Sequence, residues 1–167
     1  MILTTERLRL RQAEPSDLEA LHAVYSDPGA MAYWSSTPDS TKEATLRRIT
    51  HQFDQDPVTY FVIERDGRAI GNAGHVARGE IGYILHPDHH GQDLAREALR
   101  ALIPYLFEVL DLPALKAEID PENRASVILL SKLGFRVTGF SRDYYLLEGQ
   151  PCDSVYMRLP RPGTMSP

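Results

Sequence analysis

Gly79-Glu80-Ile81-Gly82-Tyr83-Ile84-Leu85-His86-Pro87-Asp88-His89-His90-Gly91-Gln92-Asp93-Leu94-Ala95-Arg96-Glu97-Ala98-Leu99 carries an apolar strand through a short polar turn into an amphipathic helix. Pro87 stops the strand and Gly91 lets the backbone approach a ligand. The amides from Gln92 to Arg96 lie at a helix start, where unpaired N–H groups and the positive end of the helix dipole attract anions. Such a turn cradles phosphate and points to a nucleotide-like ligand. No Gly-Lys-Ser/Thr follows it, and it is not a G-x-G-x-x-G fingerprint. The plainer alternative is a mere connection with Asp93 as helix N-cap.

A second unit of the same kind follows. A strand is expected over Ala114–Asp120, then the turn Asp120-Pro121-Glu122-Asn123 and a helix from about Arg124 to Leu133, closed by Gly134. Upstream, alternation at Leu8 and Leu10 predicts a first strand, and Pro15-Ser16-Asp17 opens a helix bearing Leu18, Leu21, Val24 and Tyr25. Ser40 and Glu43 have capping-box spacing for a second helix through Leu46, Ile49 and Phe53. Tyr60–Glu64 and Arg68–His75, joined through Asp66-Gly67, form a hairpin, and Glu80–Leu85 extends the sheet. The remaining elements are a helix over 94–110 and two closing strands near 135–140 and 155–159. The expected class is α/β (α+β), a mixed sheet with helices on both faces.

With 167 residues, 43% of them hydrophobic, the chain can bury one core, and a single domain over 1–160 with a flexible tail over 161–167 is expected. Met1 to Arg7 contain no apolar leader, and no run long enough to span a membrane occurs, so a cytoplasmic protein with no membrane partner is expected. The lone Cys152 excludes an internal disulfide framework. A formal charge of -5 argues against a nucleic-acid surface and is compatible with a cationic substrate. His75, His86, His89 and His90 lack metal-ligand spacing, so no metal site is expected.

The order of Thr5-Glu6-Arg7-Leu8-Arg9-Leu10-Arg11, Ser26-Asp27-Pro28, Ala69-Ile70-Gly71-Asn72, Glu80-Ile81-Gly82-Tyr83, Gly91 to Leu99, Asn123 to Ser126, Lys132-Leu133-Gly134-Phe135, and Asp143-Tyr144-Tyr145 with Gly149 and Asp153 resembles the GNAT superfamily of acyl-CoA-dependent N-acyltransferases, and within it the RimJ/RimL-type N-acetyltransferases. The resemblance implies a mostly antiparallel central sheet of about seven strands and acetyl transfer from acetyl-CoA to a primary amine, either a protein N-terminus or a small molecule. The alternative is a catalytically weak acyl-CoA-binding or regulatory module of the same fold. A monomer or a homodimer is compatible with either.

By the same resemblance, the backbones of Ile84, Leu85 and His86 bind the pantetheine arm and thioester carbonyl. His90, Gly91, Gln92, Asp93, Leu94, Ala95 and Arg96 hold the pyrophosphate, and Asn123 bridges to the cofactor arm or caps its helix. Glu80 is the first candidate base and Glu118 the second, each with a solvent-facing carboxylate as the alternative. Many members carry a phenol four residues before the glycine of Gly-Phe to protonate the thiolate. Leu130 stands there, so Ser126, in an Asn-x-x-Ser pattern, is the candidate acid, with Tyr83 and Tyr144 as alternatives. Tyr33, Trp34, Phe61, Tyr83 and Tyr144 are the candidate acceptor-binding residues. Asp93 departs from the glycine of the family turn and sets a carboxylate beside the expected diphosphate.

Overall fold

In the computed structural model, which describes residues 1–163, three two-residue turns of one type organise the antiparallel strands. Asp66-Gly67 joins β3 (Tyr60–Arg65) to β4 (Arg68–Ala77), Arg78-Gly79 joins β4 to β5 (Glu80–Leu85), and Glu148-Gly149 joins β7 (Arg136–Leu147) to β8 (Gln150–Pro160). All six turn residues have positive φ, the geometry whose twist matches that of paired strands. With β1 (Ile2–Thr4), β2 (Arg9–Arg11) and β6 (Ala114–Ile119), the strands form one eight-stranded sheet in the order β1-β2-β3-β4-β5-β6-β8-β7.

Helices cover both faces of the sheet. Helix α1 (Leu18–Tyr25) follows a 3-10 turn over Pro15–Asp17. Helix α2 (Lys42–Ile49) starts at Thr41, whose side chain accepts from the Ala44 amide, one residue later than the Ser40 cap expected. Leu21, Val24, Tyr25 and Ile49 pack with Val62 and Ile84 on one side. Helix α3 (Leu94–Leu110) buries Leu94, Ala98, Leu99, Leu102, Ile103 and Leu106 on the other, with Leu130 of α4 (Arg124–Lys132). That recurrence at three and four residues is one helix face. Among the described residues, no helix is long and apolar enough to cross a membrane.

The sheet holds one strand more than the sequence suggested, the three-residue β1, and both closing strands are longer than expected. Arg161, assigned to a loose tail, donates its amide to Pro113 O and pairs with Asp111. Residues 164–167 of that tail lie outside the described residues.

Candidate active site

The sheet opens where β5 meets β6. Every neighbouring pair is antiparallel except this one, which is parallel and holds a single rung, Glu80 opposite Lys116. The Lys116 amide donates to Gly79 O at 2.8 Å, and the strands part beyond it. On its other edge β5 lies tight against β4: a Cβ on Gly71 would meet Ile84 O at 2.0 Å. Only glycine permits that approach.

Strand parity decides which backbone faces the gap. The His86 amide donates to Ile70 O at 2.9 Å, so alternation turns the main chain of Ile84 and His86 toward β4 and that of Tyr83 and Leu85 toward the opening. Tyr83 and Leu85 therefore present the main-chain groups that Ile84 and His86 were expected to share. The Leu85 carbonyl contacts Nε2 of His90 at 2.9 Å.

A cavity of about 480 Å³ runs from this gap to the start of α3. Its walls include Ile84, Leu85, His90, Gly91, Asp93, Leu94, Ala95, Arg96, Asn123 and Ser126, all anticipated from sequence, and His89, which was not. His86 and Gln92 stay off the wall. Gln92 is a strut: its side chain donates to Asp88 O at 2.9 Å and accepts from Arg65 at 2.7 Å, while its carbonyl accepts from Arg7 at 3.0 Å. Arg7 in turn binds Glu97, so the N-terminal segment straps the turn to α3.

The turn ends on Asp93, the N-cap residue of α3, at φ 62° and ψ 13°. Its side chain caps nothing and lies 3.3 Å from Arg96. Among the described residues, the amides of Leu94, Ala95 and Arg96 have no acceptor, as the first turn of a helix requires. Three buried side-chain atoms on the same wall also lack partners: Nε of Arg96, Nδ1 of His89 and the Tyr83 hydroxyl. Burial, then the charges of Arg65 and His86, hold the His89 imidazole below its usual pKa.

A second cavity, of about 280 Å³, occupies the other end of the gap. Glu80, Glu118 and Asp120 line it, with Tyr33, Trp34, Tyr145 and Ser154. Ser154 is buried and its hydroxyl donates to Glu118 at 2.8 Å. Burial, then the neighbouring charge of Glu118, raises the Glu80 carboxyl above the ordinary carboxylate value, against the pull of Lys116. The two cavities share Tyr33, Trp34, Tyr83, Asn123 and Ser126, so a continuous path leads from a cationic end to an acidic end. Asn123 is the N-cap of α4 and accepts from the Ser126 amide at 3.1 Å, which sets Ser126 in the path.

Two expected acceptor residues lie elsewhere. Phe61 is fully buried in the core against Tyr105, and Tyr144 is 53% exposed, stacked edge-on to Tyr156. Tyr145 takes the place in the cavity, because the register shift between Ser141 and Tyr145, with Asp143 at φ 48°, breaks the alternation along β7. Among the described residues, no three His, Cys, Asp or Glu side chains converge as metal ligands.

A family model described as an acetyltransferase (GNAT) domain matches residues 7–136. The chain is 33% identical over 166 residues to the uncharacterized N-acetyltransferase p20 of Bacillus licheniformis, covering 93% of each. It is 31% identical over 157 residues to the spermidine N(1)-acetyltransferase of Escherichia coli strain K12, covering 90% of this chain and 84% of that one. The crystal structure of a GNAT-family acetyltransferase from Bacillus anthracis superposes with a TM-score of 0.85 at 26% identity, covering 96% of this chain and 98% of that one. An open parallel seam between two cavities, within a chain so matched, identifies it: it belongs to the GNAT family of acetyltransferases.

Proposed function

We propose that one domain spanning residues 1–160 transfers an acetyl group from acetyl-CoA to a primary amine, the amine attacking the thioester directly. The observation that carries this reading is the set of unpartnered polar atoms on the larger cavity: the amides of Leu94 to Arg96 and the side chains of Arg96 and His89 at one end, the Tyr83 hydroxyl at the other. Donors without acceptors at a helix start suit the diphosphate of the donor. The main chain of Tyr83 and Leu85 suits its amide-bearing arm.

At the junction, Asn123 and Ser126 flank the acyl carbon. The acceptor enters through the acidic cavity, where Glu80, with its raised pKa, takes the proton that the nitrogen loses. Three carboxylates and the aromatic rings of Tyr33, Trp34 and Tyr145 suit a cationic amine, whether a small polyamine or a protein N-terminus. Asp93 favours a second reading, a module that binds an acyl-CoA weakly without turnover, because its carboxylate occupies the cation the diphosphate would use.

Thiol release from acetyl-CoA, with spermidine and an alanine-terminated peptide offered as acceptors, tests the choice. Turnover with either amine is expected, and Glu80→Gln should lower kcat/KM by about 100-fold while CoA affinity in calorimetry stays the same. CoA binding without release on any amine would favour the second reading. Full activity in Glu80→Gln would move the base to Glu118.

A further inference from the structure

Among the described residues, Tyr83 alone borders both cavities and carries a buried polar atom with no partner. Its ring leaves β5 on the face shared with Ile81 and Leu85 and packs beside the core under α3. That brings the phenol in front of the first turns of α4, where Ser126 and Leu130, one helical turn apart, line the same space. Leu130 has no polar atom to offer there, and no group meets the phenol oxygen in hydrogen-bond geometry, although Ser126 lies close enough to draw its pKa down. A buried hydroxyl left unpaired costs stability, and this one is paired only by whatever occupies the junction.

The structure assigns the Tyr83 hydroxyl as the hydrogen-bond donor to the thioester sulfur while the carbon–sulfur bond breaks, an assignment that rests on the acetyl-donor reading above. The amine nitrogen bonds to the acyl carbon, the C–S electron pair moves to sulfur, and the surplus proton on nitrogen goes to Glu80. The thiolate leaves against the Tyr83 O–H and takes its proton from water after release. Tyr83 keeps its own proton throughout. Burial pushes the phenol up to about 12, with Ser126 drawing it back slightly, whereas an ordinary thiol titrates near ~8.5. A phenol so placed stabilises a thiolate without surrendering its hydrogen, as a fixed dipole aimed at developing charge does.

The test uses CoA itself as probe, so it needs no acceptor. The ultraviolet absorbance of the bound thiolate is titrated in complexes of the wild-type, Tyr83→Phe and Ser126→Ala proteins. The bound thiol is expected to titrate about one pH unit higher in Tyr83→Phe than in the wild type, a tenfold loss of thiolate stabilisation. Ser126→Ala should change it less. Tyr83→Phe should melt at the same or a higher temperature, because it removes an unsatisfied buried group, while kcat falls about 10- to 100-fold at an unchanged KM for acetyl-CoA. Equal titration midpoints in wild type and Tyr83→Phe, with CoA still bound, overturn the assignment and leave the acetyl-donor reading standing. A shift confined to Ser126→Ala transfers the role to Ser126. Failure of CoA to bind the wild-type protein overturns both.

Discussion

Asp93 concentrates two costs at one residue. A non-glycine side chain at φ 62° is strained by about 1 kcal/mol, and the carboxylate stands at the helix start while holding Arg96 at 3.3 Å. The sequence made the charge visible; the left-handed backbone was not, because φ depends on the path from Gly91 into α3. Asp93→Gly is expected to leave stability within about 0.5 kcal/mol in urea denaturation, since the relieved strain is offset by the lost carboxylate–dipole attraction, and to tighten acetyl-CoA several-fold in calorimetry, since it frees the Arg96 guanidinium. Unchanged or weaker affinity would show that the carboxylate does not oppose the ligand. Other residues of the site were hidden for a different reason. His89, Tyr145 and Ser154 reach it through turns and a register shift that no local pattern records, whereas Asn123 could be read as a helix cap and Glu80 and Ser126 were reached through the family resemblance.

At the scale of elements, legibility followed periodicity. Helix α3 was readable over its whole span because six of its apolar side chains recur on one face, and β5 because Pro87 ends it. The closing hairpin was not, since Arg142, Asp143, Gln150 and Pro151 interrupt the apolar alternation, and its Glu148-Gly149 turn lacks the usual Asn or Asp. Helix α3 also carries a local contradiction. Pro104 sits in its interior, exposed, and denies the Arg100 carbonyl its intrahelical donor. Pro104→Ala should therefore stabilise the protein by about 2 kcal/mol, read as a higher urea midpoint with an unchanged slope. A lower midpoint would mean that the ring makes packing contacts worth more than the missing hydrogen bond.

Across the whole molecule, ion pairs brace the N-terminal third, both within itself and against β3. Arg11 binds both Asp17 and Glu64, Arg9 shares Glu64, and Arg48 holds Asp39. The Arg11 hydrogen bond holds Glu64 below the usual carboxylate range against its burial; against their own burial, Arg48 keeps Asp39 low, and Thr5 with Arg7 keeps Glu97 low. Depressed folded values mean stability that is present above the ordinary carboxylate range and lost as pH falls through it. Glu80, raised by burial, acts in the opposite sense and costs stability as pH rises past its ordinary value. The melting temperature should therefore fall steeply below about pH 5. Glu64→Gln should cost about 2 kcal/mol at neutral pH, with the difference from wild type shrinking as acid protonates Glu64 in the latter. A difference that stays constant to low pH would assign the cost to packing. Arrangement at this scale was the least legible part of the sequence, since which strands neighbour one another is a long-range fact: the class and the mixed sheet could be anticipated, but the solitary rung between β5 and β6 could not.

That solitary rung makes the molecule two panels, five strands and three, stitched at one corner and bridged by the crossover helix. In the reading proposed above, an elongated donor lying in the seam would serve as a temporary ninth strand, lending each panel the backbone partners it otherwise lacks. On that reading cohesion would be borrowed from the donor, and the protein should be sturdiest while loaded and loosest just after it discharges its thiol.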